Sequence, residues 1–293
     1  MKIDHKKTFL LLLILFVSNT YAQQVMLKKG TTIPVRIAQN VNGNIDSQGD
    51  TIFFEVMDDV LVDGKIAVKK GTFANGKITN AEGRKSLGKA GKIALEIRSV
   101  KSVDDQIINI VRDKLGSEGR KRTGATVAHV IMWGPLGLFA KGRAARVMID
   151  TEYDIEVESD LSINTAANGG NSSNSPDVEN LDVHFKKYNS KINYAKGKIG
   201  KDFKLNIVLP KTTNIARNDI KVVEILGHKL PKPIVPTEVS WNKKTKTFIA
   251  VLPFREVVKY SAPGTVNVLV NVQVDDKSVL QGQTTLTTKW KMK

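Results

Sequence analysis

Apolar and polar residues alternate one by one along much of this chain, and that period limits its fold more than any other feature. In Thr32–Ala38, the apolar Ile33, Val35 and Ile37 are separated by Pro34 and Arg36. Ile93–Val100 and Val266–Val274 repeat the rhythm. A strand turns successive side chains to opposite faces, so the pattern gives each strand one face for a core and one for water. A helix would scatter the same residues around its circumference. The expectation is an all-β protein.

Other segments read the same way: Thr51–Val56, Ile107–Val111, Tyr153–Val157, Phe203–Leu209, Ile220–Leu226, Thr247–Leu252, Val279–Gln281 and Thr284–Thr288. Val60–Val62 and Ile66–Val68 flank Asp63-Gly64, a pair suited to the positive φ of a tight hairpin turn. Pro210, Pro231, Pro233, Pro236, Pro253 and Pro263 are read as lying between strands, where no ladder hydrogen bond is lost.

Residues 162–177 are rich in Gly, Ser and Asn and nearly without bulky apolar groups. They are read as a flexible linker. The chain then divides into a segment 1–22, a β-barrel domain 23–161, the linker 162–177, and a basic domain 178–293. About seven short strands in the last of these predict an immunoglobulin-like β-sandwich.

Segment 1–22 reads as a secretory signal. Lys2, His5, Lys6 and Lys7 precede the unbroken apolar run Phe9–Val17, and Thr20 and Ala22 flank Tyr21, placing cleavage before Gln23. Nine apolar residues fall well short of the roughly 20 that span a bilayer. The protein is therefore expected to be exported, to a bacterial periplasm or to an outer-membrane-associated position. The chain has no Cys, which excludes disulfides, thiolate chemistry and a lipid-modified Cys, so the exported protein must rely on its core.

Leu27-Lys28-Lys29-Gly30-Thr31 returns 41 positions later as Val68-Lys69-Lys70-Gly71-Thr72, with Met148–Tyr153 as a degenerate third copy. The copies read either as a repeated turn in a pseudo-symmetric barrel or as a binding rim of Lys pairs. The surrounding order is Gly49-Asp50 with a strand, Val62-Asp63-Gly64, Arg84–Gly91, Asp104-Asp105, and a Gly-rich apolar insertion. Over residues 27–158 this order resembles the β-barrel domain of TrbI-like conjugation-channel proteins and its stand-alone exported relatives. In those channel proteins the domain is a barrel whose helical insertion reaches the outer membrane. For this chain the resemblance implies the barrel.

The insertion breaks the strand rhythm. Residues 123–140 carry no formal charge and are bracketed by Arg120-Lys121-Arg122 and by Lys141, Arg143 and Arg146. Gly134-Pro135 interrupts any helix. The expected form is a short helix over about 124–133, a turn, and a return. Val127, Val130, Ile131, Trp133, Leu136, Leu138 and Phe139 are its candidate contact residues. Three roles compete: a membrane-touching hairpin, a docking loop for an envelope protein or a second copy of the chain, and a helix packed over the barrel mouth. His129, within this run, is read as a half-buried side chain and not as a ligand.

Charge is uneven. Residues 177–293 hold 21 Lys and Arg against 10 Asp and Glu, a net of +11, while residues 23–176 hold only +3. The candidate basic patch is Lys243, Lys244 and Lys246, in an expected hairpin turn. Its candidate partner is an acidic glycan or lipopolysaccharide. Aromatic residues are too sparse among these lysines to predict a specific nucleic-acid site. Trp241 and Trp290 read as core residues or as a sugar-stacking pair.

His5, His129, His184 and His228 stand apart from one another and from paired carboxylates, and no nucleophile elbow, zinc-protease or phosphate-loop motif occurs. Asp58-Asp59, Asp104-Asp105 and Asp275-Asp276 fall at turns, where Asp satisfies local backbone groups. The expectation is a non-enzymatic envelope protein without a cofactor or metal.

Overall fold

The structure, a computed structural model, describes residues 24–83, 91–111, 129–132, 145–166, 179–180, 182–186, 191–193, 200–209, 215–274 and 279–291. The expected signal segment and most of the expected linker lie outside these residues.

The N-terminal unit contains β1 (Gln24–Leu27), β2 (Thr32–Ile37), β3 (Val41–Asn42), β4 (Thr51–Val56), β5 (Val60–Val62), β6 (Lys65–Val68), β7 (Phe73–Glu82), β8 (Lys92–Lys101), β9 (Ile107–Asn109), β10 (His129–Met132), β11 (Arg146–Val147), β12 (Glu152–Glu156) and β13 (Leu161–Asn164). One antiparallel sheet runs β10-β8-β7-β4-β2-β12, with β9 also on β8. The sheet curls. Beyond β9, Ile110 bridges Val157, and the amides of Val111 and Glu158 donate to Glu156 and Asn109, both at 2.9 Å. Register shifts at Asn75/Gly76 and Ile78/Asn80 between β7 and β8 add local twist. Gly76 is required there: a Cβ would meet the Glu96 carbonyl and would stand 3.0 Å from Phe54 Cε2.

The alternation does what the sequence implied. β2 and β4 each turn every second residue inward, and Ile33, Val35, Ile37, Ile52, Phe54 and Val56 share one core. Full burial of a side chain of this size contributes about 1.5–3 kcal/mol. The core cluster also takes in Leu27, Ile108, Ile155 and Ile163.

The repeat is a repeated turn, and the third copy belongs to it. Thr31, Thr72 and Thr151 each donate their amide to the carbonyl three residues back, at 3.1, 3.1 and 3.3 Å. The residue before each has positive φ: Gly30 at 81°, Gly71 at 80° and Asp150 at 67°. Each such residue donates its amide to a carbonyl at the end of a strand or just past it: Gly71 to Val56, Asp150 to Ile37, and Gly30 to Val157, one residue beyond β12. The three sites are one device used three times. Asp tolerates the left-handed conformation, which explains why the third copy lacks Gly.

The C-terminal unit contains β14 (Glu179–Asn180), β15 (Asp182–Phe185), β16 (Lys191–Ile192), β17 (Phe203–Val208), β18 (Ile220–Ile225), β19 (His228–Ile234), β20 (Glu238–Asn242), β21 (Thr247–Leu252), α1 (Phe254–Lys259), β22 (Gly264–Gln273) and β23 (Val279–Trp290). One sheet runs β14-β23-β22-β18-β19, with β16 also on β23; a second runs β15-β17-β21-β20. Both contribute to one core, including Phe203, Leu205, Ile207, Val222, Val268, Val270 and Leu252.

Three expectations are corrected. The helix over 124–133 is not what forms at its described end: His129–Met132 is strand β10, antiparallel to Glu96–Ile93 of β8. β9 covers only the far end of β8, so the near end offers free ladder groups, and β-branched Val130 and Ile131 suit a strand there. The linker does not begin at 162. Ser162–Asn164 belong to β13, which pairs with β1, and Ile163 is fully buried. Pro231 and Pro233 lie inside β19, which they can do because β19 is a sheet edge.

α1 was not expected either. Its start is capped by Asp202, whose carboxylate accepts the Phe254 amide at 2.8 Å, and it buries Phe254, Val257 and Val258. Phe254 stacks on Phe203, ring centroids 5.9 Å apart.

Candidate functional site

The two units meet, and where they meet they leave a cleft of about 740 Å³. Asn40, Ile45, Asp46, Asp50, Thr51 and Phe53 line it from the N-terminal unit. The opposite wall comes from Lys232–Val235, at the end of β19, and from Phe254–Glu256 and Val258–Tyr260 of α1 and its end. Turn chemistry positions the first wall. Asp46 accepts the Asn42 amide at 2.7 Å, and Asp50 accepts the Ser47 amide at 2.8 Å.

The cleft is polar at its charged groups and apolar between them. Burial pushes the Asp46 carboxyl above its ordinary range; the Asn42 amide, Lys259 and Arg255 oppose the shift without cancelling it. Burial, with Glu256 adding to it, raises the Tyr260 phenol. Lys232 and Arg255 are exposed, and neither side chain has a hydrogen bond or ion pair to another described residue. Phe53, Pro233, Ile234 and Phe254 supply apolar surface.

At the junction, charged groups from both units also converge. Arg36 on β2 lies opposite Glu55 on β4 and grips it, Nη2 to Oε2 at 2.8 Å. The same Nη2 reaches His228 Nδ1 at 2.7 Å, and His228 Nε2 lies 3.4 Å from Asp150 Oδ1. The Arg36 guanidinium has no lone pair with which to accept, so it is the donor and the Nδ1 of His228 the acceptor. Glu55 and His228 are mostly shielded from water.

The sequence-derived candidates lie elsewhere. Lys243, Lys244 and Lys246 form the β20–β21 turn, as expected, and all three are exposed. Asn242 Oδ1 holds that turn by accepting the Lys244 amide at 2.9 Å, and Lys246 has φ 53°. Val130 and Ile131 lie on β10; Val127, Trp133, Leu136, Leu138 and Phe139 lie outside the described residues. Trp241 and Trp290 pack against the C-terminal core, Trp241 edge-on to Phe248 with centroids 4.8 Å apart. Asp59 and Asp104 accept backbone amides from Lys70 and Asn164, 11 and 60 positions away, whereas local groups were expected for turn residues.

Sequence reasoning missed the cleft residues. For α1 a signal was present: Phe254, Val257 and Val258 have helical spacing just after Pro253. For Arg36, Asn40 and His228 none was present, because each reads as an ordinary polar residue of a strand or turn. Among the described residues no group of three His, Asp or Glu is placed to hold a metal ion, and no helix is long and apolar enough to cross a membrane.

No family model matches the chain, and a search of the curated proteins finds no match.

Proposed function

We propose that this chain is a non-enzymatic, exported protein of the bacterial envelope that binds a partner in the cleft between its two β units. In this reading the N-terminal unit is a barrel of the kind seen in TrbI-like proteins, and the C-terminal unit is an immunoglobulin-like sandwich. The carrying observation is the cleft itself. It brings Lys232 and Arg255, whose side chains have no hydrogen bond or ion pair to another described residue, together with Asp46 and Asp50 and with the apolar Phe53, Pro233 and Ile234. A ligand that fits carries both signs of charge on a partly apolar body, which describes a peptide segment of an envelope protein.

The test is site-specific photo-crosslinking in cells, with the probe replacing Thr51 in the cleft or Lys244 outside it. The expected result is a discrete adduct from position 51 that disappears in the Lys232→Glu/Arg255→Glu background. No adduct from position 51, or the same adduct from position 244, overturns the reading.

The apolar stretch 124–140 is proposed as a membrane contact, on the strength of its uncharged sequence and basic flanks. Fractionation of cells carrying Val130→Asp/Leu138→Asp tests it: the variant is expected to shift from the membrane fraction to the soluble one. If wild type is already fully soluble, this contact is wrong.

A second reading rests on the exposed turn Lys243–Lys246, whose lysines have no carboxylate partner among the described residues. There the ligand is a polyanion such as an acidic glycan. Salt-sensitive retention of the whole mature protein on heparin, abolished by Lys243→Glu/Lys244→Glu, supports it; no retention at low salt excludes it.

A further inference from the structure

Asn40 sits between β2 and β3 and is only 2 % exposed. A buried amide of this kind must have its donors and acceptor satisfied. Its backbone N–H donates to the Lys259 carbonyl at 2.7 Å. Its side-chain Nδ2 donates to the carbonyls of Val258 at 3.0 Å and Ser261 at 2.7 Å. Its Oδ1 accepts the Ile149 amide at 2.9 Å, within its own unit. Three of its four bonds therefore cross to the other unit, and all three end on carbonyls at the end of α1.

The Lys259 and Ser261 carbonyls need donors, and the Val258 carbonyl, which already accepts the Ser261 amide at 3.3 Å, gains a second. The last turn of any helix leaves carbonyls without intrahelical partners, and the end of α1 faces the N-terminal unit, not open water. Val257, Val258, Tyr260 and Ser261 are all buried. The junction is apolar as well: Ile45 and Met148 of the N-terminal unit pack against the C-terminal core. Arg36 and His228 add a third connection.

We infer that Asn40 is a lock that makes the two β units one body, so that the cleft has a fixed width before any partner arrives. The coupling resides in this junction, whatever the segment that joins the units does. Asn40 also ties the lock to the third repeated turn, because its Oδ1 holds Ile149 one residue before Asp150. Recognition in the cleft is then of the lock-and-key kind, with no ordering of the two units to be paid on binding.

The absence of Cys allows two labels to be placed cleanly. Gln48→Cys and Lys244→Cys, both at exposed positions in different units, carry spin labels on the whole mature protein. Dipolar spectroscopy is expected to give one narrow distance distribution without ligand. Asn40→Asp keeps the acceptor for Ile149 but loses both side-chain donations across the junction. It is expected to broaden the distribution while circular dichroism shows the strands intact. If Asn40→Asp does not fold, Asn40→Ser, which keeps the backbone bond to Lys259, takes its place with the same expectation. A broad distribution in the parent, or an unchanged narrow one in the variant, overturns the lock.

Discussion

Arg36 and His228 stand 192 positions apart in sequence and 2.7 Å apart in space, the guanidinium of one donating to the imidazole of the other across the junction. Arg36 is held in place by Glu55, so the hydrogen bond is presented by a side chain that has already lost its freedom. A double-mutant cycle with Arg36→Ala and His228→Ala is expected to show a coupling of about 1 kcal/mol in urea denaturation of the mature protein. Additivity of the two single variants would mean that the pair contributes nothing to the junction.

Gly76 on β7 has no space for a side chain, with the Glu96 carbonyl, Phe54 and Ile52 all against the position a Cβ would take. Gly76→Ala forces β7 from β8 or displaces Phe54 from the core. A loss of about 2–3 kcal/mol, read from the urea midpoint at constant slope, is the expected outcome. A change within about 0.5 kcal/mol would show that the register between the two strands is not as described.

Tyr153 places its ring edge-on to Phe54 at 5.7 Å, yet its buried hydroxyl has no hydrogen-bond partner among the described residues. Burial also drives its ionisation far above the usual phenol range. Tyr153→Phe removes an unsatisfied polar group and keeps the ring contact. It is expected to raise stability by about 1 kcal/mol, visible as a higher melting temperature. A lower one would reveal a partner for the hydroxyl.

Asp104 fastens the β8–β9 turn to β13. Burial acts to raise its carboxyl, but hydrogen bonds from Ser102, the Asn164 amide and Gln106 outweigh it, and the group lies below its ordinary value of 3.8. A carboxylate depressed on folding stabilises the protein above its unfolded value, and the contribution fades as pH falls through the folded one. Wild type is therefore expected to exceed Asp104→Ala in stability by about 1–2 kcal/mol at pH 7, with the gap closing below about pH 4. A gap that is the same at pH 3 and pH 7 would place the effect elsewhere than on this ionised group.

Of the strands on which these positions sit, β2 and β12 were readable one segment at a time, whereas β19, which carries His228, was not. The hairpin at Asp63-Gly64 forms with φ of 50° and 73°, and Thr247–Leu252 has its expected bounds. The echo at Lys28 and Lys69 was legible because a turn depends on a few consecutive residues. β10 and β13 were misread for the opposite reason. Gly-rich or uncharged local sequence looked like a helix or a linker, and a free stretch of β8 and of β1 drew each into a ladder.

What the amino-acid order determined unaided is the alternating strands and the tight turns, but not β10, β13 or β19, since alternation and positive-φ residues act within a few positions. What only the tertiary structure decided is the meeting of the two units: Asn40 on the end of α1, Arg36 on His228, and the cleft between Asp46 and Arg255. Those contacts join residues some two hundred positions apart. Their free energy comes from satisfying buried polar groups that exist only once both cores have formed, and no local pattern carries that information.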